Sequence, residues 1–166
     1  MELAHHYAVD VHWTGNLGTG TSGYRAYGRD HVVTAEGKAH EIAGSSDPAF
    51  RGDPGRWNPE ELLLAALAQC HMLSYLHAAT VAGVTVVAYD DEAVGTMELT
   101  GDGGGRFTSV TLRPRVVIAD AAQREAAEAA HREASRMCFI ANSVNFPVGH
   151  EPTTTVATSA PGAASA

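Results

Sequence analysis

Two cysteines, Cys70 and Cys138, are the residues of this chain best suited to covalent chemistry. A thiol is mostly protonated near neutral pH unless a positive charge or a helix amino terminus stabilises the thiolate. Cys70 lies about three turns inside a predicted helix, beyond the reach of the helix dipole, so an arginine must supply the charge if this thiol is reactive. The alternative interpretation is a small buried hydrophobic residue, because free cysteines are often simply part of a core.

Cys138 differs from Cys70 because it directly follows a second predicted helix. We expect it at the amino end of a turn over residues 139–144, where backbone amides would favour a thiolate. Two cysteines in 166 residues are too few for a disulfide scaffold, so the pair indicates a reducing compartment or a thiol function. The first residues, MELAHHYAVD, lack the basic and apolar regions of a signal peptide, and we expect a cytoplasmic protein.

The charge balance argues against two classes of partner. Eleven basic residues against nineteen acidic ones give a formal net charge of −8, which repels nucleic acid and anionic lipid. The segment from Leu62 to Val84 is long and apolar enough to span a membrane, but polar side chains such as Gln69 and His71 interrupt it. We therefore interpret it as a helix buried inside the protein, and predict neither a nucleic-acid nor a membrane partner.

Histidines are numerous, yet their spacing does not indicate a metal site. The chain has nine histidines but no Cys-x-x-Cys or His-x-x-x-His pattern, and His71 and His77 fall on different faces of a helix. The glycine-rich runs lack the context of a phosphate-binding loop, and there is no Gly-x-Ser-x-Gly nucleophile motif. We predict no metal and no cofactor.

Two helices must position the cysteines. Asn58 followed by Pro59 and Glu61 predicts a capping box and the start of a helix that ends near Gly83. This helix has almost no polar stripe, so we expect it to be enclosed on nearly every side. The second helix is predicted over residues 121–137, with Asp120 as its cap and Gln123 as the box partner.

The remaining pattern is rich in β-strand residues. We predict one globular α+β domain over residues 1–151 and a disordered, low-complexity tail over residues 152–166. An irregular loop over residues 44–57 precedes the central helix, and such long loops are often functional. The predicted strands are a meander at Tyr7–Trp13, His31–Thr34 and Glu41–Ala43, a bulged hairpin at Val84–Tyr89, Ala93–Leu99 and Phe107–Ile118, and a last strand at Ser143–Val148.

Two motifs carry a resemblance to a known family. Asn58-Pro59-Glu60-Glu61-Leu62 precedes a small-residue helix that reaches Cys70-His71-Met72, and Cys138-Phe139-Ile140-Ala141-Asn142 follows an Ala/Glu-rich helix. These motifs and the order of the elements, over residues 7–150, resemble the osmotically inducible protein C and organic hydroperoxide resistance (OsmC/Ohr) family. The resemblance implies an OsmC-like α+β fold, with antiparallel sheets around a long buried central helix, and an intertwined homodimer.

The resemblance also implies an antioxidant, stress-response activity, a thiol peroxidase that reduces organic hydroperoxides. In that activity Cys70 attacks the peroxide, Cys138 resolves the product to a disulfide, and an external thiol or lipoyl-type donor reduces it. Glu60 and an arginine hold the site. Arg51 and Arg56 in the loop are the candidates, and we select Arg51. The alternative is a non-catalytic binding protein for an apolar metabolite on the same fold, since fold does not fix function.

Helix spacing adds an inference about assembly. Glu60 and Cys70 are ten residues apart, which in a straight helix is about 15 Å of rise. The two residues therefore cannot share one site within one chain unless the helix breaks. We predict a two-fold dimer in which Glu60 and the Arg51 loop of one protomer reach the partner's Cys70.

Overall fold

The computed structural model describes residues 4–158, and this part of the chain forms nine β-strands and two α-helices. The mixed content agrees with the predicted α+β class. The chain divides into two compact units, one up to Leu63 and one from Leu64 onward.

The N-terminal unit carries a small antiparallel sheet. Its strands are β1 (Asp10–Trp13), β2 (His31–Thr34) and β3 (Ile42–Gly44), in the order β1-β2-β3. Asp10 pairs with Thr34 and His31 pairs with Gly44, as expected of the predicted meander. All four residues of β1 are exposed in the single chain, so this sheet buries little apolar surface by itself.

Helix α1 (Pro59–Val81) begins at the predicted capping box. The Glu61 amide donates to Asn58 Oδ1 over 2.8 Å, and the Asn58 amide donates to Glu61 Oε2 over 3.2 Å. These reciprocal bonds satisfy two amides that the first turn leaves free. Gly83, with a φ of 73°, follows the end of the helix and permits the left-handed turn that the chain makes there.

The single chain encloses only one stripe of α1. Its buried residues recur at three- or four-residue intervals and are Leu67, His71, Tyr75, Ala78 and Ala79. Leu73 and Val81 lie outside this stripe and are 61% and 75% exposed. The expectation of a helix enclosed on nearly every side is therefore wrong for one chain. By length and composition alone α1 is also long enough to cross a membrane, a test that core helices of soluble proteins pass as well.

The C-terminal unit contains a long hairpin that bends into two sheets. Pro114 begins a new strand after Arg113, where a proline removes no ladder hydrogen bond from the strand interior. One sheet has the order β4-β7-β9 and the other β5-β6-β8, with β8 and β9 parallel to their neighbours. The strands are β4 (Val86–Asp91), β5 (Val94–Leu99), β6 (Gly105–Leu112), β7 (Pro114–Ile118), β8 (Val148–His150) and β9 (Thr153–Val156).

Two predicted boundaries near the carboxyl end are wrong. The last strand was expected at Ser143–Val148, but a 3-10 turn occupies Ala141–Ser143 and β8 begins only at Val148. The tail was expected from residue 152, but β9 pairs with β7, because a run of threonine and valine suits a strand that finds an open edge. Residues 159–166 of the predicted tail lie outside the described residues.

Helix α2 (Arg124–Met137) packs its alanine face onto the C-terminal half of α1. Asp120 caps a 3-10 turn over Ala121–Gln123 that leads into the helix. The predicted box partner Gln123 does not close a capping box, because its side chain accepts from the Thr85 amide and donates to the Gly83 carbonyl instead. Small residues let the two helices approach closely, and the buried ones on α2 are Ala127, Ala130 and Ala134.

Candidate functional site

The two cysteines that are the predicted site residues lie side by side in the C-terminal unit. Cys70 is half-buried on α1, and Cys138 follows the last turn of α2 and is only 1% exposed. Their side chains are in hydrogen-bond contact, and both remain free thiols. The arrangement places a partly accessible thiol against a buried one.

The environment of Cys138 favours its protonated form. Burial is the largest effect and, together with the neighbouring Cys70 thiol, raises the pKa of Cys138 to about 11. The backbone amides of Ile140 and Ala141 donate to the sulfur and act in the opposite direction on the pKa. The sequence correctly suggested that amides of this turn meet Cys138, but desolvation outweighs them.

Glu60 occupies the first turn of α1, well before Cys70 on the same helix. Because α1 is continuous from Pro59 to Val81, the ten residues between them correspond to about 15 Å of rise. The helix therefore does not bring Glu60 and Cys70 together. Glu60 Oε2 is buried and has no hydrogen-bond partner among residues 4–158. A buried carboxylate oxygen of this kind requires a donor, and a guanidinium is the strongest one available in proteins.

The two candidate arginines of the loop differ in their contacts. Arg56 Nε lies 3.3 Å from Asp30 Oδ2 and 3.7 Å from Asp53 Oδ2. Arg51 is exposed, and within the described part of the chain it forms no ion pair. The guanidinium of Arg51 is thus the one that remains available to a carboxylate such as Glu60.

The backbone around Arg51 is held in an unusual shape. Arg51 ends a 3-10 turn (Pro48–Phe50) with a φ of 69°, in the left-handed region that non-glycine residues seldom adopt. Asp47 supports this turn by accepting from the Ala49 amide with its side chain and from the Gly52 amide with its carbonyl. A Cβ atom at position 52 would lie 1.5 Å from the Ser46 carbonyl oxygen, so only glycine fits there. These contacts therefore fix the backbone conformation at Arg51.

A buried column of aromatic rings, which includes His71, is not predicted by the sequence. His71 Nε2 lies 3.2 Å from His131 Nδ1, and the His131 ring stacks on Tyr75 with centroids 4.1 Å apart. The ring of His150 lies 4.3 Å from that of His71. These histidines come from α1, α2 and β8, so no local spacing reveals them. The one sequence signal is that His71 and Tyr75 are four residues apart on an otherwise apolar helix.

Burial keeps the histidines of this column neutral. It lowers the pKa of His71 to about 3, with a further contribution from the positive charges that His150 and His131 would carry. It also lowers the pKa of His131 to about 4, again aided by His150. Within residues 4–158 no three histidine, cysteine, aspartate or glutamate side chains are arranged to hold a metal ion.

Comparison with known proteins places the chain in a family. Residues 52–152, which include Glu60, Cys70 and Cys138, match the OsmC-like protein family. The chain belongs to the OsmC-like family. An OsmC-like protein of unknown function from Vibrio cholerae has a similar structure, with 31% identity and a TM-score of 0.78. That match covers 90% of this chain and all of the Vibrio chain. No curated protein matches the sequence.

More distant structures share the OsmC-like fold. An organic hydroperoxide resistance protein OsmC from Legionella pneumophila is 19% identical, with a TM-score of 0.67 over 93% of this chain and 100% of its own. An organic hydroperoxide resistance protein from Elizabethkingia anophelis is 14% identical, with a TM-score of 0.64 over 95% of this chain and 100% of its own. At these identities the structural similarity shows only that the fold is shared. The activity of this chain has to be inferred from the residues of its own site.

Proposed function

We propose that this OsmC-like protein is a thiol-dependent peroxidase that reduces organic hydroperoxides. The observation that carries the proposal is the contact between a partly exposed thiol, Cys70, and a buried one, Cys138. In such a pair the partly exposed thiol can react with a substrate as the nucleophile. The buried thiol can then react only with the oxidised form of the exposed one. The names of the Legionella and Elizabethkingia proteins, which both refer to organic hydroperoxide resistance, support the substrate class.

The first step oxidises Cys70. Its thiolate sulfur attacks the terminal, proton-bearing oxygen of the hydroperoxide, a sulfur–oxygen bond forms, and the oxygen–oxygen bond breaks. The alkoxide takes up a proton and leaves as the alcohol, and Cys70 becomes a sulfenic acid. A guanidinium beside the reacting atoms would stabilise both the thiolate and the negative charge on the leaving oxygen.

The second step forms a disulfide. The Cys138 sulfur, after losing its proton, attacks the sulfenic sulfur of Cys70, the sulfur–sulfur bond forms, and hydroxide leaves and is protonated to water. The contact between the two side chains means that this step requires little movement. An external dithiol, such as a lipoyl-type donor of a reducing cytoplasm, then returns both cysteines to thiols by exchange and is itself oxidised to a disulfide.

A homodimer would complete the site. Within α1, Glu60 is about 15 Å of rise from Cys70, and the exposed side of α1 carries apolar residues such as Leu73 and Val81. A two-fold partner that covers this side would bring Glu60 and Arg51 of one protomer to the partner's Cys70. The buried and unpaired Glu60 Oε2 would then receive the Arg51 guanidinium, which would face the thiolate.

One observation favours a second function, a non-catalytic binding protein on the same fold. The groups that act on the Cys138 pKa are burial, the Cys70 thiol and two backbone amides, and in the described part of the chain no cation is among them. A thiol pair without a cation would be part of the packing, and the protein would then hold an apolar metabolite without converting it.

A rapid-mixing experiment separates the two functions. The reduced protein is mixed with tert-butyl hydroperoxide, and thiol loss and alcohol formation are followed with Cys70→Ser as the control. The peroxidase proposal expects saturable alcohol formation that Cys70→Ser abolishes. It also expects a Cys138→Ser variant that stops after one equivalent of alcohol as a sulfenic acid. Persistence of both thiols in the parent protein under excess hydroperoxide supports the binding protein instead.

A further inference from the structure

Ser45 is completely buried in the N-terminal unit although its side chain is polar. It is the first residue after β3, and Asp30 is the last residue before β2. Because His31 pairs with Gly44 in this antiparallel sheet, Asp30 and Ser45 come opposite each other where the pairing of the two strands ends. The register of the sheet therefore brings a hydroxyl group and a carboxylate together at the start of the loop that carries Arg51.

The Ser45 hydroxyl forms two hydrogen bonds that point to different parts of the unit. It donates to Asp30 Oδ1 over 3.1 Å and accepts from the Asp53 amide over 3.1 Å. Asp30 adjoins the sheet, whereas Asp53 lies in the loop two residues after Arg51. A hydroxyl group can donate and accept at the same time, so this one side chain ties the loop to the sheet. Alanine at this position would remove both bonds.

The backbone bonds of the loop do not replace this link. The turn that carries Arg51 is held by internal contacts, such as the bond of 3.1 Å from the Gly52 amide to the Asp47 carbonyl. Internal contacts set the shape of the turn without fixing its position on the sheet. A bond of 2.9 Å from the Ser45 amide to the Trp57 carbonyl closes the base of the loop, but the turn lies beyond that base. The Ser45 hydroxyl is the buried link that joins the turn to the sheet.

Arg56 provides a second link between the same two carboxylates, and this link is weaker. Its Nε atom lies 3.3 Å from Asp30 Oδ2 and 3.7 Å from Asp53 Oδ2. The side chains of Arg56 and Asp30 are 30% and 37% exposed, so water and salt screen the attraction between them. The Ser45 hydroxyl is excluded from water, and its bonds therefore contribute more to holding the loop than the ion pairs do.

We infer that Ser45 is a positioning residue for Arg51 and acts through the buried link from Asp30 to the loop. The inference rests on the proposed function, in which the Arg51 guanidinium stabilises the thiolate of the partner's Cys70. A cation lowers the reaction barrier only if it is already held where the charge develops. Without the Ser45 hydroxyl the turn keeps its internal shape, but the position of Arg51 relative to the sheet is no longer fixed.

A double-mutant cycle on the full chain tests the inference. Stopped-flow mixing with tert-butyl hydroperoxide gives the rate of Cys70 oxidation, which Ser45→Ala should lower at least about fivefold. In an Arg51→Ala background Ser45→Ala should cause no further loss, because the side chain that it positions is absent. Ser109→Ala removes a half-buried hydroxyl group from β6 in the other unit. This matched control should react like its parent in both backgrounds.

Two variants of Asp30 add a rescue test. Asp30→Ala and Asp30→Asn both remove the ion pair with Arg56, but only asparagine keeps an oxygen that accepts from the Ser45 hydroxyl. Asp30→Ala should therefore react as slowly as Ser45→Ala, and Asp30→Asn should react like the parent. The comparison remains informative even if Ser45→Ala does not fold, and urea unfolding shows that each variant is folded under the assay conditions.

Three results would overturn the inference and leave the peroxidase function standing. They are a rate for Ser45→Ala equal to that of the parent, further slowing by Ser45→Ala in the Arg51→Ala background, and equal rates for the two Asp30 variants. A parent protein whose Cys70 does not react with the hydroperoxide would overturn both the inference and the proposed function.

Discussion

The Cys70 and Cys138 side chains are in contact, yet one is half-buried and the other almost completely buried. Under the proposed peroxidase function we expect this difference to give the two thiols different roles. A molecule from solvent can meet only Cys70, whereas the buried Cys138 meets only its neighbour. Burial also keeps Cys138 protonated near neutral pH, which protects it from direct oxidation.

We predict that oxidation links the two cysteines within one chain. One equivalent of an organic hydroperoxide should remove two hydrogen atoms from the protein mass and no more, because the sulfenic acid on Cys70 meets Cys138 at once. Intact-protein mass spectrometry checks this result under non-reducing conditions. In Cys138→Ser the product should instead gain one oxygen atom. A disulfide between two chains in the parent protein would contradict the assignment of Cys138 as the resolving thiol.

We predict that Arg51 and Glu60 activate Cys70. Arg51→Ala and Glu60→Ala should each lower the rate of Cys70 oxidation at least about tenfold, or about 1.4 kcal/mol in the barrier, because each removes half of the pair that holds a cation at the thiolate. Stopped-flow measurement of thiol loss gives these rates. Arg56→Ala is the matched control, since Arg56 is already paired with Asp30 and Asp53.

The outcome for Arg56 decides between the two loop arginines. If Arg56→Ala were slow and Arg51→Ala fast, the activating role would belong to Arg56. If all three variants reacted as fast as the parent, Cys70 would lack an activating cation from this loop. The binding-protein function would then be the better description of the chain.

Local signals predicted most of the elements that carry the cysteines. The capping box at Asn58 and Glu61 and the glycine beyond α1 are short-range features, and the structure confirms both. Local sequence signals gave the wrong prediction where contacts with residues far away in the chain determine the structure. Gln123 binds the segment after α1 instead of its own helix end, and the threonine run of β9 becomes a strand only because β7 offers it an edge.

Local sequence signals also fail to predict the histidine column. His71, His131 and His150 come from three elements far apart in the chain, and only the packing of those elements brings the rings together. Sequence motifs for metal sites do not detect these three histidines, because such motifs describe ligands within one element or loop. The contact between Cys70 and Cys138 is also long-range, and the family resemblance predicts it where periodicity does not.

We predict that acid destabilises the fold through the buried histidines. In the unfolded chain these imidazoles bind protons near pH 6.5, whereas burial lowers the pKa of His71 to about 3 and of His131 to about 4. The unfolded state therefore binds more protons between these values, so the stabilising contribution is complete above about pH 6.5 and is lost as the pH falls toward 4. Urea unfolding at a series of pH values measures this slope.

The His71→Phe variant tests the source of the slope. Phenylalanine keeps an aromatic ring in the column and takes up no proton, so the dependence of unfolding free energy on pH between about 6.5 and 4 should become shallower. His40→Phe, which changes an exposed histidine between β2 and β3, is the matched control and should keep the slope of the parent. An unchanged slope in His71→Phe would assign the acid sensitivity to other groups.

We predict that the protein is a dimer at micromolar concentration, with an interface above about 2,000 Å² as in obligate dimers. The single chain buries only one stripe of α1 and leaves Leu73 and Val81 exposed, so a partner helix has apolar surface to cover. Sedimentation equilibrium should show that Leu73→Glu is a monomer. This variant should also lose peroxidase activity in the hydroperoxide assay, because Glu60 and Arg51 would no longer reach the partner's Cys70. Leu99→Glu, an equally exposed leucine at the end of β5, should stay dimeric and active. A monomeric parent protein that still reduces hydroperoxides would show that one chain completes the site without Glu60.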